Sequence, residues 1–525
     1  VSKEYVYVLE GAKCHVLDIV TGNEVNTFTS GTTNTEKLAY IGVYKDYLIL
    51  GNNFTDYPDI KPEGDEAANP RAEKYDATAS REIIVMNRFT GERIWNVIAN
   101  LGFVHNSIIA GDDILFCLDR YPQNLETRLR RRGLPLPQGS RLLYLNMKTG
   151  EIMHEETKDV FGTWLGYSSE HKLLLQATRP SRDMLNGESG KRMKVYKVDT
   201  HQVLWDKSMS YNNPPIISND KIYTEGEGFY LFTGEPIMEK DPVTGEDLKW
   251  KYKREYGCGY VIASEHLLTF RSASAGFINL DYFEGTGSLG GFKSGCSANL
   301  IVANGVLNSP DYTRTCQCPY QNQTSLAFVN MPWMNYWTNS NYSWNGKRIK
   351  NLGLNLNAPG DRTSADNVLW IDFPNAGGGE PGIGIKLDTA GFYKIRKEPV
   401  SVWSLSTPWV SASAIGGVRA VEIPLVKDRS PETTTYTVKL YFSELENKKP
   451  GDRVFDVKVQ DQLVLHNFDI VSEAGKTDTE VIKTISGVKA GNNLRIEMIP
   501  VKGNTILSGI ELSEEPSKLS MAGGI

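Results

Sequence analysis

The chain has 525 residues, a formal charge of −6 and 40% hydrophobic residues, with 48 glycines and 25 tyrosines. That length suits two or three globular domains with ample core, and the glycine and tyrosine content suits many strands and turns. The acidic balance excludes a general affinity for nucleic acid, and there is no apolar run of the roughly 18 residues that a spanning helix requires. The chain opens VSKEYVYVLEG, already in a strand pattern and with no signal peptide. The natural chain is therefore expected to extend before Val1, and the missing leader says little about location.

A phrase recurs along the first two thirds: VLDIVTGNEV at 16–25, VMNRFTGERIW at 85–95, YLNMKTGEIMH at 144–154 and KVDTHQVLW at 197–205. Each is an apolar strand, an Asp or Asn, a turn and a second strand. Thr-Gly marks a tight turn between hairpin strands. Trp95, His154 and Trp205 each follow their Thr by five residues, an aromatic placed to dock between layers. Pairs of short apolar runs lie between the phrases, as in HNSIIAGDDILFCLD at 105–119 and CGYVIASEHLLTF at 258–270. Together they make a four-stranded meander, the unit of a propeller blade. Such units are expected at 5–28, 37–97, 103–156, 163–206, 213–238, 258–292 and 296–331, the first without its innermost strand. A β-sandwich array is the alternative. The run RLRRRG at 128–133 reads as a solvated insertion rather than a polyanion site.

The LD..TG...W phrase resembles the pyrroloquinoline-quinone (PQQ) type repeat of quinoprotein dehydrogenases and of non-catalytic outer-membrane assembly propellers. HNSIIAGDDILFCLDR through PDYTRTCQCPYQNQTSLAFVNMP also resembles a bacterial family of large extracytoplasmic propeller proteins. The resemblance covers about residues 1–335 and implies a fold, not a cofactor. For a quinone enzyme it implies a vicinal Cys-Cys pair over the cofactor, a stacking Trp and a calcium ion. The sequence has no Cys-Cys, so no cofactor is expected. A rival enzyme would need PQQ with calcium, or a copper ion.

Propeller sites lie where inner strands converge. His105, Asn106, Cys258 and Asn299 are expected at the starts of such strands. Asp119, Arg120, Arg179, Arg271, Asp311, Tyr312 and Arg314 are candidates for loops at the same mouth. Arg beside Asp suits an anionic ligand such as a uronate or sulfated sugar, because guanidinium forks grip carboxylates; the same residues equally suit salt bridges between blades. His105 has the titration range of an acid or base, although a lone His is more often structural.

Four of the six cysteines, Cys258, Cys296, Cys316 and Cys318, cluster late in this region. An even, clustered set favours disulfides in an oxidising compartment. Two other readings of Cys316-Gln-Cys318 stay open: a direct, strained and labile bond, or a soft-metal site for Cu(I) or zinc with Met331 or Met334.

WTNSNYSWNGKRIK at 337–350 is polar and reads as a linker. Beyond it, strands are expected near 417–425, 435–442, 453–459, 462–466, 479–486, 493–499 and 506–512, antiparallel and without helices, giving a jelly-roll sandwich. YF.E, G.RVFDV.V, FDI, AG and GIEL fall here in an order that resembles malectin-like carbohydrate-binding domains, over about 346–515. The resemblance implies sugar binding by loops at one end of the sandwich. It places Tyr441, Phe442, Glu444, Asp456 and Asp469 at motif positions, mostly in the core or at strand ends. Only Asn467 and Asp469 are expected to reach a ligand. The loop that carries an aromatic pair in that family is here ELENKKPGDR, with no aromatic ring.

The expected fold is thus all-β: a propeller of about seven or eight blades over 1–335, followed by a jelly-roll sandwich over 346–515. The expected function is that of an extracytoplasmic, non-catalytic binding or scaffold protein (periplasmic, cell-surface or secreted) whose partners are glycans or cell-surface proteins. The rival is an enzyme with its site in the propeller mouth, a quinoprotein-like oxidoreductase or a polysaccharide-degrading enzyme.

Overall fold

The computed structural model describes residues 1–525 apart from 31–36, 53–78, 122, 137, 181–187, 291, 293–299, 311–324, 330, 332–335, 405–406 and 517–525. The chain is all-β and divides into two compact units, Val1–Ile237 and Met238–Ile525.

The first unit is a succession of antiparallel meanders of the propeller-blade kind. Tyr5–Glu10, Lys13–Asp18 and Glu24–Thr29 form the first sheet, with three strands. A four-stranded meander runs Trp164–Ser168, Leu173–Ala177, Gly190–Lys197, Val203–Tyr211. The units expected at 37–97 and 103–156 are joined into one eight-stranded sheet. The joint is local: strand Arg93–Val104 runs on past its hairpin, and Phe103 pairs with Asp119 of the next meander.

The recurring phrase is a capped turn. Asp18 accepts the amide hydrogens of Val20 at 3.1 Å and Thr21 at 2.7 Å, and the chain then passes through Gly22 at φ +71°. Asn87 with Gly91, Asn146 with Gly150, and Asp241 with Gly245 repeat the arrangement. The short polar side chain mimics a backbone turn, and glycine takes the left-handed position without a Cβ penalty. In the phrase at 197–205 that position is filled by His201 at φ +58°.

The trailing aromatic of each phrase packs on the next phrase's turn. Trp95 lies over Gly150 and donates its Nε1 hydrogen to the Met147 carbonyl at 2.8 Å; Trp205 lies by Gly234 and donates to the Leu231 carbonyl at 2.8 Å. His154 stacks on His201 at 3.9 Å with rings 3° from parallel. These contacts tie successive meanders, so the repeat has a packing cause.

The second unit begins at Met238, so the compact boundary falls well before the polar linker at 337–350. Strands Leu267–Ser272, Ser274–Asn279 and Thr286–Ser288 are extended by Thr338–Asn339 from that linker. Lys350 donates its amide hydrogen to the Val243 carbonyl at 2.7 Å, and Val243 and Tyr342 sit in the sandwich core. Cross-strand hydrogen bonds override the polar composition of the segment.

The sandwich has two six-stranded sheets. One runs in the order Arg362–Thr363, Leu369–Phe373, Asn351–Leu356, Gly509–Glu514, Thr434–Ser443, Glu480–Ala490. The other runs Lys386–Arg396, Ser413–Pro424, Asn493–Lys502, Val454–Val459, Gln462–Phe468, with Ile506–Leu507 paired to Ser413–Pro424. Leu354, Val438, Leu440, Phe455, Leu494 and Ile510 are among its fully buried core. Two expectations are corrected. Asn351–Leu356 pairs with Leu369–Phe373 in parallel, and short helices at Pro408–Ser411 and Ile470–Ala474 interrupt the strands. The latter is started by the Asp469 side chain and stopped by Gly475 at φ +80°.

Candidate functional site

Most of the described propeller candidates are held in contacts within the fold. His105 opens a 3-10 turn at the end of strand Arg93–Val104 rather than starting an inner strand. Its Nε2 pairs with Ser80 Oγ at 2.7 Å and its ring tilts against Tyr40. Burial pushes its pKa down to about 4, so it is neutral near pH 7 and ill placed to take up a proton. Asn106 is half-buried in the same turn. Asp119 is fully buried and accepts the amide hydrogens of Asn100, Leu101 and Gly102 at 2.7–2.9 Å, with Arg141 Nε at 2.8 Å. That carboxylate staples the joint between two meanders and has no capacity left for a ligand.

Arg120 is buried, donating to the Gly162 carbonyl at 2.9 Å and to Glu126 at 2.5 Å. Arg179 is half-buried, and its amide hydrogen goes to Glu188 at 2.8 Å. Arg271 belongs to the second unit and is buried; its carbonyl accepts from Arg254 Nε at 2.9 Å. Arg254 also donates to the carbonyls of Gly257, Cys258 and Gly259. Cys258 therefore sits in a tethered loop, four residues before strand Ile262–Ala263, not at a strand start.

Asp311, Tyr312, Arg314, Asn299, Cys296, Cys316, Cys318 and Met334 lie outside the described residues. Among the described residues Cys14, Cys117 and Cys258 carry free thiols. Also among the described residues, no three His, Cys, Asp or Glu side chains stand together as metal ligands.

The sandwich offers a more convergent arrangement at the loop 444–453. Glu444 and Arg453 are both buried, with Nε 2.6 Å from the Glu444 carboxylate. Arg453 also reaches Glu446 at 2.5 Å and the Asn504 carbonyl at 2.6 Å. The Tyr393 hydroxyl donates to the same Glu446 at 2.8 Å. Burial alone would raise the Glu446 pKa, but Tyr393 and Arg453 outweigh it and hold the carboxylate below its usual range. Tyr393 comes from strand Lys386–Arg396, and its ring lies on Gly416, where a Cβ would stand 2.1 Å from it. Tyr393, Glu446, Lys448, Asp452, Arg453 and Asn504 line a cleft of about 310 Å³. Asp469 braces the loop from behind, accepting the Gly451 amide hydrogen at 2.5 Å and capping the helix Ile470–Ala474.

Asp469 is thus a support and does not line the cleft. Asn467 is exposed at φ +48°, bonded to Asp456 at 2.7 Å and to His466 at 3.1 Å, and also stands outside it. Tyr441 and Phe442 are core residues; the Tyr441 hydroxyl goes to Glu511 at 2.6 Å. The ring missing from 444–453 is supplied by a strand some fifty residues earlier, which no reading of the loop alone could find. The cleft presents a tyrosine ring, a guanidinium, carboxylates, an amine and an amide, a set suited to many hydroxyl groups on one small ligand.

Residues 424–516 match the Malectin domain family model. No curated protein matches the chain in sequence. Among solved structures, a Bacteroides uniformis beta-glucuronidase aligns at 14% identity over 32% of this chain and 18% of its own, with a TM-score of 0.25. The ANX2 ectodomain from Arabidopsis thaliana aligns at 13% identity over 32% of this chain and 50% of its own, with a TM-score of 0.25. BamB from Moraxella catarrhalis aligns at 10% identity over 58% of this chain and 78% of its own, with a TM-score of 0.34. The chain thus spans no more than half the length of the first two. Among the described residues, no helix is long and apolar enough to cross a membrane.

Proposed function

We propose that this chain is an extracytoplasmic, non-catalytic binding protein whose C-terminal sandwich holds a neutral glycan in the cleft at Tyr393, Glu446 and Arg453. One observation carries the reading. In a domain that matches the Malectin family, a ring and a mutually braced set of hydrogen-bonding groups converge on a cleft of about 310 Å³. Arg453 and Tyr393 are already committed to Glu446, so the carboxylate is held ready to accept sugar hydroxyls without reorganisation. The meanders of the first unit serve as a platform. Calorimetric titration of the whole chain with neutral gluco-oligosaccharides, before and after Tyr393→Ala, tests this. Binding that persists at high salt and falls about tenfold or more in the variant is expected; absence of neutral-sugar binding, or an affinity indifferent to Tyr393, would overturn it.

A further inference from the structure

The arginine-rich insertion has an outcome that its composition does not announce. Helix Gln123–Arg131 stands beside strand Gly190–Lys197 across a cleft of about 280 Å³ in the first unit. Arg120, Glu126, Arg130, Phe161, Lys191 and Arg192 are among the residues that line it. Four of those six are cationic and one is acidic, in a chain whose overall charge is −6. The local balance therefore opposes the global one.

The four cations are not equivalent. Arg192 is bound on both sides, to Asp206 through Nε at 2.7 Å and to Asp159 through Nη1 at 2.9 Å, and it stacks over Phe161 at 4.5 Å. Its charge is neutralised, and it acts as a rigid wall. Arg130 and Lys191 are exposed, and neither has an ion-pair partner among the described residues. Arg120 is only 6% exposed. Its Nη1 and Nη2 are occupied by Gly162 and Glu126, but its buried Nε–H has no hydrogen-bond partner among the described residues. A buried donor left unpaired is costly, and more so when it belongs to a charged group. The cleft thus combines a buried guanidinium in its wall with two exposed cations that have no ion-pair partner among the described residues.

We propose that this cleft is a binding site for a sugar residue bearing an oxyanion, a uronate or a sulfate ester. Arg130 and Lys191 are the charge clamp, Phe161 is the apolar wall, and Arg120 is a buried positive charge held in the wall by Gly162 and Glu126. The volume suits a single ring, near the lower end for ligand pockets. A guanidinium fork and an ammonium together match a carboxylate or sulfate better than a hydroxyl. This site is separate from the sandwich cleft and does not rest on the reading given for it.

The test uses the whole chain and four probes: an oligogalacturonate, a sulfated disaccharide, their neutral counterpart, and inorganic sulfate. Arg130→Ala and Lys191→Ala both alter exposed side chains, and circular dichroism confirms that the fold is retained. The expected result is salt-sensitive binding of an acidic sugar, weakened about two- to fivefold by each variant and about tenfold or more by the pair. The neutral counterpart should bind no better to wild type than to the double variant, and Tyr393→Ala should leave acidic-sugar binding unchanged. An acidic-sugar affinity equal in wild type and double variant would overturn the proposal. Inorganic sulfate binding as tightly as the acidic sugars would also overturn it, since the site would then be a simple ion site.

Discussion

The Trp95 indole sits on Gly150 of the following repeat, and a Cβ at that glycine would come within 2.6 Å of the ring. The backbone there is at φ +74°, so the position forbids a side chain twice over. Gly150→Val is expected to destabilise the first unit by about 1–3 kcal/mol through overpacking, beyond the backbone strain. Gly133, at φ +67° with no atom near its notional Cβ, is the control; Gly133→Val should show only the backbone cost. Urea denaturation of the two variants followed by tryptophan fluorescence measures the difference, and equal midpoints would show that the Trp95 contact carries no energy.

Acid should weaken the first unit. The His105 pKa is pushed down to about 4 by burial, and that of His201 is lowered by burial and then by the stacked His154. In the unfolded chain both imidazoles titrate near about 6.5. The unfolded state therefore binds more protons below that pH, and stability is lost as pH falls from about 6.5 toward about 4. For His105 the full loss is about 3 kcal/mol. His105→Gln retains a partner for Ser80 and should flatten the dependence; an unfolding midpoint equally pH-dependent in the variant would assign the effect elsewhere.

The second unit carries a dependence of opposite sign. Asp361 and Asp372 are buried together, and Asp361 also accepts the Asp372 amide hydrogen at 3.0 Å. Burial raises both carboxyls above their usual range, and their mutual repulsion adds to this at Asp361. The folded state therefore retains a proton that the unfolded chain releases above about pH 4. The contribution is complete below that pH and is lost as pH rises through the folded range. Asp361→Asn should make the second unit more resistant to alkali, as read by the midpoint of its unfolding at about pH 8.5 relative to about pH 6.

Glu444 and Arg453 form a buried ion pair beneath the sandwich cleft. Removing one partner strands a charge in the core and should cost about 3–5 kcal/mol, whereas replacing both with apolar residues should cost much less. Glu444→Leu, Arg453→Met and the double variant give the cycle. Because Arg453 also holds Glu446, the double variant should remain folded yet lose the cleft's ligand. Additive losses of stability would show that the pair is not coupled.

The thiols should separate by accessibility. Cys14 and Cys117 are fully buried, and burial pushes the Cys14 thiol up to about 11 and that of Cys117 further. A thiol that stays protonated is a poor nucleophile. In the native protein neither should react with a disulfide reagent, while Cys258 should, since it is only partly buried. Rapid labelling of Cys14 or Cys117 without denaturant, read by peptide mapping, would contradict their burial.

Local signals in the sequence determined the all-β class, the repeat and the sandwich at the C-terminus. The Asp or Asn, Thr-Gly and trailing-aromatic phrase is a self-contained device. Its side chain, turn and glycine are neighbours in the chain, so the turn geometry follows from order alone. Alternation in YTVKLYF and RVFDVKVQ likewise follows from the two-residue period of a strand. What only the tertiary structure decided is which distant groups meet. Tyr393 of strand Lys386–Arg396 reaches Glu446, which follows strand Thr434–Ser443 of the other sheet, and the extended strand Arg93–Val104 merges two meanders. Asp119 is spent on three backbone amides instead of facing a ligand. Arg120 and Arg130 line a cleft completed by Phe161, Lys191 and Arg192, residues much later in the chain. A side chain's neighbours across sheets depend on register and on the path of the loops, which residue type and spacing do not encode; burial then settles whether a charge is a staple or a site.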